Sequence, residues 1–124
     1  MNYFTSRGKS FLYAFKGIKH LMLGEPNALI HLIAAITAVL FGIYFQISTN
    51  EWLWICLAIV LVFICEIINT AIENLGDVIT KDYNKSIEKA KDLGAAATFL
   101  AALFSIVVAL IIFLPKIKAF FYTI

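Results

Sequence analysis

Long apolar blocks alternate with short polar ones along this chain. No charged residue occurs from Pro26 to Asn50, nor from Leu93 to Pro115. Between them, Glu51 is followed by a third apolar run, "WLWICLAIVLVFIC". Each run is about as long as the roughly 20 residues a helix needs to cross hydrocarbon. They predict transmembrane helices over about 28–47, 51–76 and 92–114. The "STNE" link is short and polar, so the second helix returns antiparallel to the first. Pro115 is expected to end the third. Ahead of these spans, Phe11, Leu12, Phe15, Ile18, Leu21 and Met22 recur at three- and four-residue steps, with Lys9, Lys16 and Lys19 mostly opposite. That spacing predicts an amphipathic helix over about 8–23, lying in the membrane surface. Gly17 weakens it slightly.

Composition agrees with this pattern. The 124 residues are 62% hydrophobic, well above the near half of a soluble domain. The expectation is an all-α membrane protein, with one membrane domain over 1–124. A net charge of +2 gives no nucleic-acid signal. The stretch from Met1 to Asn27 lacks the continuous apolar core and cleavage site of a signal peptide, and no lipidation motif is visible. Cys56 and Cys65, on one predicted helix, would sit roughly 13 Å apart, too far for a disulfide; they read as packing residues. Trp52 and Trp54 fit an interfacial belt.

Orientation follows from lysine and arginine. Arg7, Lys9, Lys16 and Lys19 precede the first span, and Lys81, Lys85, Lys89 and Lys91 fill the loop after the second. Both regions are therefore expected at the cytoplasmic face. The C-terminus would lie outside, against which Lys116 and Lys118 argue weakly.

The candidate chemistry begins in "CEIINTAIENLGD". At about 100° per residue, Glu66, Asn69, Glu73 and Asp77 share a sector of roughly 80°. The stripe starts deep and climbs toward the cytoplasmic surface. Polar groups at such depth are costly and mark functional sites. Three carboxylates in one column repel, so at least one should be protonated or bound to a cation. Two chemistries fit: a cation path, or a divalent-metal site with oxygen ligands. A metal beside a buried base would suit phosphoryl transfer. For Asp77, simple exposure at the wet end of the helix serves equally well.

Lys91 and Asp92 stand at the mouth of the third span, and Glu25 precedes the first. Glu25, Glu73, Lys91 and Asp92 can thus converge at one membrane face. Lys91 could hold phosphate as a point charge. The small residues Gly94, Ala95, Ala96 and Ala97 permit close helix approach or oligomer packing. His31 is expected to play a structural role, bonding across helices. His20 reads as solvated, and Tyr44 and Phe45 as interface residues. A small oligomeric transporter with Glu66 as coupling carboxylate would explain the stripe, but not the gathering of Glu25, Lys91 and Asp92.

The pattern Glu66-x-x-Asn69-x-Ala71-x-Glu73-x-x-x-Asp77, followed by Ala90-Lys91-Asp92 and small residues, resembles the small bacterial membrane kinases, the diacylglycerol and undecaprenol kinase family. The surface helix, the three spans and "GEPN" agree, so the resemblance covers nearly the whole chain. It implies a homotrimer in the bacterial inner membrane, with active sites shared between subunits at the cytoplasmic face. It further implies ATP and Mg2+, and a lipid alcohol as acceptor. By carry-over, Glu66 is the general base and Asn69 orients the site. Glu25 and Glu73 hold the metal. Lys91 and Asp92 contact nucleotide, with Tyr13, Asp82, Tyr83 and Asn84 near it. This family has no Gly-rich P-loop, and none appears here. The family's basic lipid contact aligns with Ser6, leaving Arg7 beside it as the candidate for that contact, and the lipid-contacting serine of some members is Ala95. Both lipid contacts therefore depart from the family pattern. "GEPNALIHLIAA" and "IFLPKI" are more similar to the undecaprenol branch.

Overall fold

A computed structural model describes residues 2–124, which form four helices: α1 Tyr3–Gly24, α2 Pro26–Tyr44, α3 Thr49–Ile79 and α4 Lys85–Thr123. The last three are each long and apolar enough to cross a membrane. At 1.5 Å per residue, α2 is about 28 Å long, α3 about 46 Å and α4 about 58 Å. Since hydrocarbon is about 30 Å thick, α3 and α4 overrun it.

Caps explain where the helices start. The Asn2 side chain accepts from the Phe4 N–H, so α1 begins at Tyr3 rather than near residue 8. Pro26 opens α2, where its missing N–H and fixed φ suit the first turn. Ser48 and Glu51 form a reciprocal capping box at the start of α3, with bonds of 3.2 and 3.0 Å. Asn84 accepts from the Ser86 and Ile87 N–H groups, so α4 begins at Lys85 rather than near 92.

The α2–α3 turn is tight. The Ile47 N–H bonds to the Gly42 carbonyl and the Gln46 N–H to that of Ile43, the paired bonds of a Schellman motif. Gln46 takes the left-handed position there, at φ 51°. Glycine is the usual occupant, and a residue with a Cβ costs about 1–2 kcal/mol in that conformation. Gly42 is required by close approach: a Cβ would lie 2.5 Å from the Trp52 ring and 3.1 Å from Ile47.

Pro115 does not end α4, contrary to expectation; the helix continues to Thr123. An interior proline costs about 3 kcal/mol. Contacts beyond it oppose that cost. The Lys116 Nζ reaches the Glu51 Oε2 at 2.7 Å, Ile117 packs on the core, and the Phe120 ring meets the Tyr44 ring edge-on at 6.3 Å.

The main packing is α3 antiparallel on α4, with α2 laid against α3. The core lies toward the Trp52 end, where Ile47, Ile55, Ala58, Val108, Ile112 and Phe113 are buried together. Only 17–22% of the most apolar window of each span is buried within the protomer. The remaining apolar surface is matched to lipid or to other chains rather than to water. α1 packs on α2 and α3, with Leu21 buried while Phe11, Leu12, Phe15 and Ile18 stay exposed.

Candidate active site

The polar stripe of α3 lies between α2 and α4. Glu66 is 3% exposed and, among the described residues, the only buried charged side chain. A carboxylate taken from water needs a polar partner. Its partner comes from α2: the His31 Nε2 stands 3.1 Å from the Glu66 Oε1. His31 also lines an apolar groove of about 320 Å³ that runs away from Glu66 between the three long helices, past Ala34, Ala38, Ile55, Ala58 and Ile106.

One turn along α3, the Asn69 Nδ2 donates to the Glu73 Oε1 at 3.4 Å. The Asn69 Oδ1 is buried and, among the described residues, finds no partner. It faces Gly94 of α4, where a Cβ would stand 2.5 Å from it. Gly94 therefore lets α4 pass directly over the Asn69 amide. Two turns from Asn69, the Lys91 Nζ meets the Asp77 Oδ1 at 2.6 Å, at the exposed end of the stripe.

Helix arithmetic relates Glu25 to this column. Glu25 links α1 to α2 and lies about 9 Å along the axis from His31. Glu73 lies about 10 Å from Glu66 in the same direction. Because α2 and α3 are antiparallel and joined at His31–Glu66, Glu25 and Glu73 fall at similar depth. Both are partly buried.

Other sequence-predicted residues have different surroundings. The Arg7 guanidinium lies 5.1 Å from the Tyr3 ring centre, and the Lys16 ammonium 5.8 Å from that of Tyr13, both within α1. Asn84 is committed to its cap. The Asp82 N–H donates to the Thr80 Oγ1 in the connecting loop. Tyr83 is exposed, and the Glu88 carboxylate holds its phenol above the ordinary range. Asp92 and Ala95 are exposed on α4. His31 makes the cross-helix bond the sequence led us to expect, and what the sequence did not name is its partner, Glu66. The signal for that pairing would have been the place of His31 on α2 opposite the deepest carboxylate.

The family model described as prokaryotic diacylglycerol kinase matches residues 12–113. The chain belongs to the prokaryotic diacylglycerol kinase family. It is 38% identical over 109 residues to an undecaprenol kinase of Bacillus subtilis, covering 88% of this chain and 89% of that one. It is 28% identical over 104 residues to a diacylglycerol kinase of Escherichia coli K12, covering 84% and 85%. A Synechocystis diacylglycerol kinase is 28% identical over 109 residues, 87% of this chain and 62% of its own. The chain is thus a membrane-embedded lipid kinase, and the transporter alternative falls away. A prokaryotic diacylglycerol kinase needs an acceptor alcohol and a phosphate donor, and Glu66 is the buried acidic side chain among the described residues of this chain.

Proposed function

We propose that this protein transfers the γ-phosphate of ATP to the hydroxyl of undecaprenol. The observation that carries the reading is Glu66: a carboxylate sealed from water, bonded to His31, next to an apolar groove. The higher identity to the undecaprenol kinase than to the diacylglycerol kinases favours a polyprenol over diacylglycerol.

In this mechanism Glu66 takes the proton of the lipid hydroxyl. The lipid oxygen bonds to the γ-phosphorus as the bond from that phosphorus to the bridging oxygen breaks, and ADP leaves. Such a transfer depends on positioning and charge neutralisation more than on covalent chemistry. Lys91 supplies a cation for phosphate, on release from Asp77. Asn69 holds Glu73 through its amide. Asp92, Tyr13, Asp82 and Tyr83 would stand around the nucleotide.

Mg2+ takes one or two carboxylates and completes its octahedron with phosphate oxygens and water. Among the described residues no three His, Cys, Asp or Glu side chains gather closely enough to hold an ion alone. Glu25 and Glu73, at similar depth, fit the smaller share needed for a nucleotide-borne ion. The metal's chemistry would be to neutralise charge on the β- and γ-phosphates.

The exposed apolar faces of the spans and the family resemblance support a homotrimer. The exposed Phe11, Leu12, Phe15 and Ile18 support a membrane-surface role for α1. The lysine distribution supports a site at the cytoplasmic face, and the bacterial relatives support a bacterial cell membrane.

The test offers purified protein Mg-ATP, undecaprenol and diacylglycerol together in micelles. Undecaprenyl phosphate should dominate, EDTA should abolish its formation, and Glu66→Gln should lower it by about 100-fold or more, the usual range for a general base. Phosphatidic acid as the main product would move the assignment to diacylglycerol. Phosphorylation of neither lipid would overturn it.

A further inference from the structure

We infer that His31 is a positioning residue for the phosphoryl transfer: it fixes the Glu66 carboxylate through the Oε1 and leaves the Oε2 to meet the acceptor hydroxyl. The inference rests on Glu66 being the base.

Burial supplies the first argument. Glu66 is 3% exposed, and a buried carboxyl oxygen needs a hydrogen-bond partner in place of water. A base at this depth needs a donor within hydrogen-bond reach to hold it in place. The imidazole at 3.1 Å is that donor, with the proton on the Nε2 whenever Glu66 is a carboxylate. The contact bridges α2 and α3 across 35 positions of sequence, so it is a property of the packed helices rather than of one turn.

Geometry supplies the second. A glutamate has three side-chain torsions, and an unanchored one samples several rotamers. The His31 bond holds one oxygen, so the other has a set direction. His31 itself lines the apolar groove, together with Ala34, Val62 and Phe63. The imidazole therefore stands where an apolar tail would end and the base begins. Its side chain is 22% exposed, open enough to adjoin a substrate and enclosed enough to be held.

Register supplies the third. Glu25 caps the N-terminus of α2, about 9 Å along the axis from His31. The helix whose start places Glu25 thus also aims the base. A displacement of about 1 Å in such a site costs on the order of 100-fold in rate.

The experiment compares His31→Gln with His31→Met in the full-length protein in micelles. The two side chains are nearly isosteric, and only glutamine carries a donor that reaches the Nε2 position. The expected result for His31→Met is a fall in kcat of about 10- to 100-fold, within the range a misplaced base produces, with the KM for Mg-ATP nearly unchanged. His31→Gln should recover most of that loss. If His31→Met also loses ATP binding, His31→Asn takes its place, with a donor too short to reach, and must fall below His31→Gln in the same way. Wild-type kcat in His31→Met, or equal activity in the glutamine variant and its comparator, overturns the inference. Glu66→Gln separates the two levels. An inactive Glu66→Gln beside a fully active His31→Met overturns only the positioning role, and a fully active Glu66→Gln overturns the base assignment with it.

Discussion

The Lys116 Nζ lies 2.7 Å from the Glu51 Oε2, tying α4 just beyond Pro115 to the first turn of α3. Glu51 meanwhile closes the Ser48 capping box through its other oxygen. One carboxylate therefore starts a helix and anchors the far end of its neighbour. It also explains how a lysine is tolerated at the end of the chain opposite the basic loop: its charge is matched.

Removing that match should cost stability and not chemistry. Glu51→Gln keeps a capping-box residue but leaves Lys116 without its counter-charge. Thermal unfolding in micelles should begin several degrees lower, and adding Lys116→Met should restore part of the loss. Glu51 is about 22 Å along α3 from Glu66, so kcat per folded molecule should hold. An unchanged midpoint in Glu51→Gln would show that the pair is ornamental.

Gly94→Ala should act through Asn69. The added methyl would stand 2.5 Å from the Asn69 Oδ1, so the amide must turn or α4 must retreat. Overpacking of this kind costs about 1–3 kcal/mol. Because Asn69 bonds to Glu73, the expected signature is a loss of kcat of about 10-fold or more, the scale of a small misplacement in a site. Steady-state kinetics on the purified variant check it, and a fully active Gly94→Ala protein would show that Asn69 can move without consequence.

Lys91→Met and Asp77→Asn should separate the two partners of the exposed ion pair. If Lys91 binds phosphate, its loss removes a charge-assisted hydrogen bond worth about 1.5–3 kcal/mol, which corresponds to roughly 10- to 100-fold in KM for Mg-ATP. Asp77→Asn frees Lys91 and should leave that KM far less changed. Isothermal binding of a non-hydrolysable ATP analogue distinguishes this outcome from a slower chemical step. Equal effects in both variants would mean that the pair works as a structural clamp.

Much of the helical plan was legible because charge-free runs of membrane length admit few alternatives. The stripe from Glu66 to Asp77 was legible for a similar reason: period and depth follow from one helix. A bond from His31 across helices was expected, but the partners of His31 and Gly94 depended on two helices at once. His31 meets Glu66 only through the packing of α2 on α3, and no spacing within α2 announces it. Gly94 was read as a small residue for close approach, yet that its neighbour is the Asn69 amide follows from the α3–α4 crossing. The helix limits slipped where capping side chains, Asn2 and Asn84, started helices early. At Pro115 the local rule lost to tertiary contacts from Lys116, Ile117 and Phe120.

The ion pairs Lys91–Asp77 and Lys116–Glu51 rivet α3 to α4 at opposite ends. Asp77 and Glu51 are about 39 Å apart along α3. A slip of one helix past the other by a single turn would part both pairs together, so the hairpin resists sliding as a unit. While both pairs hold, a change in bilayer thickness would be met by tilting of the hairpin rather than by sliding, and once Lys91 turns to phosphate only the Lys116–Glu51 pair still opposes the slip.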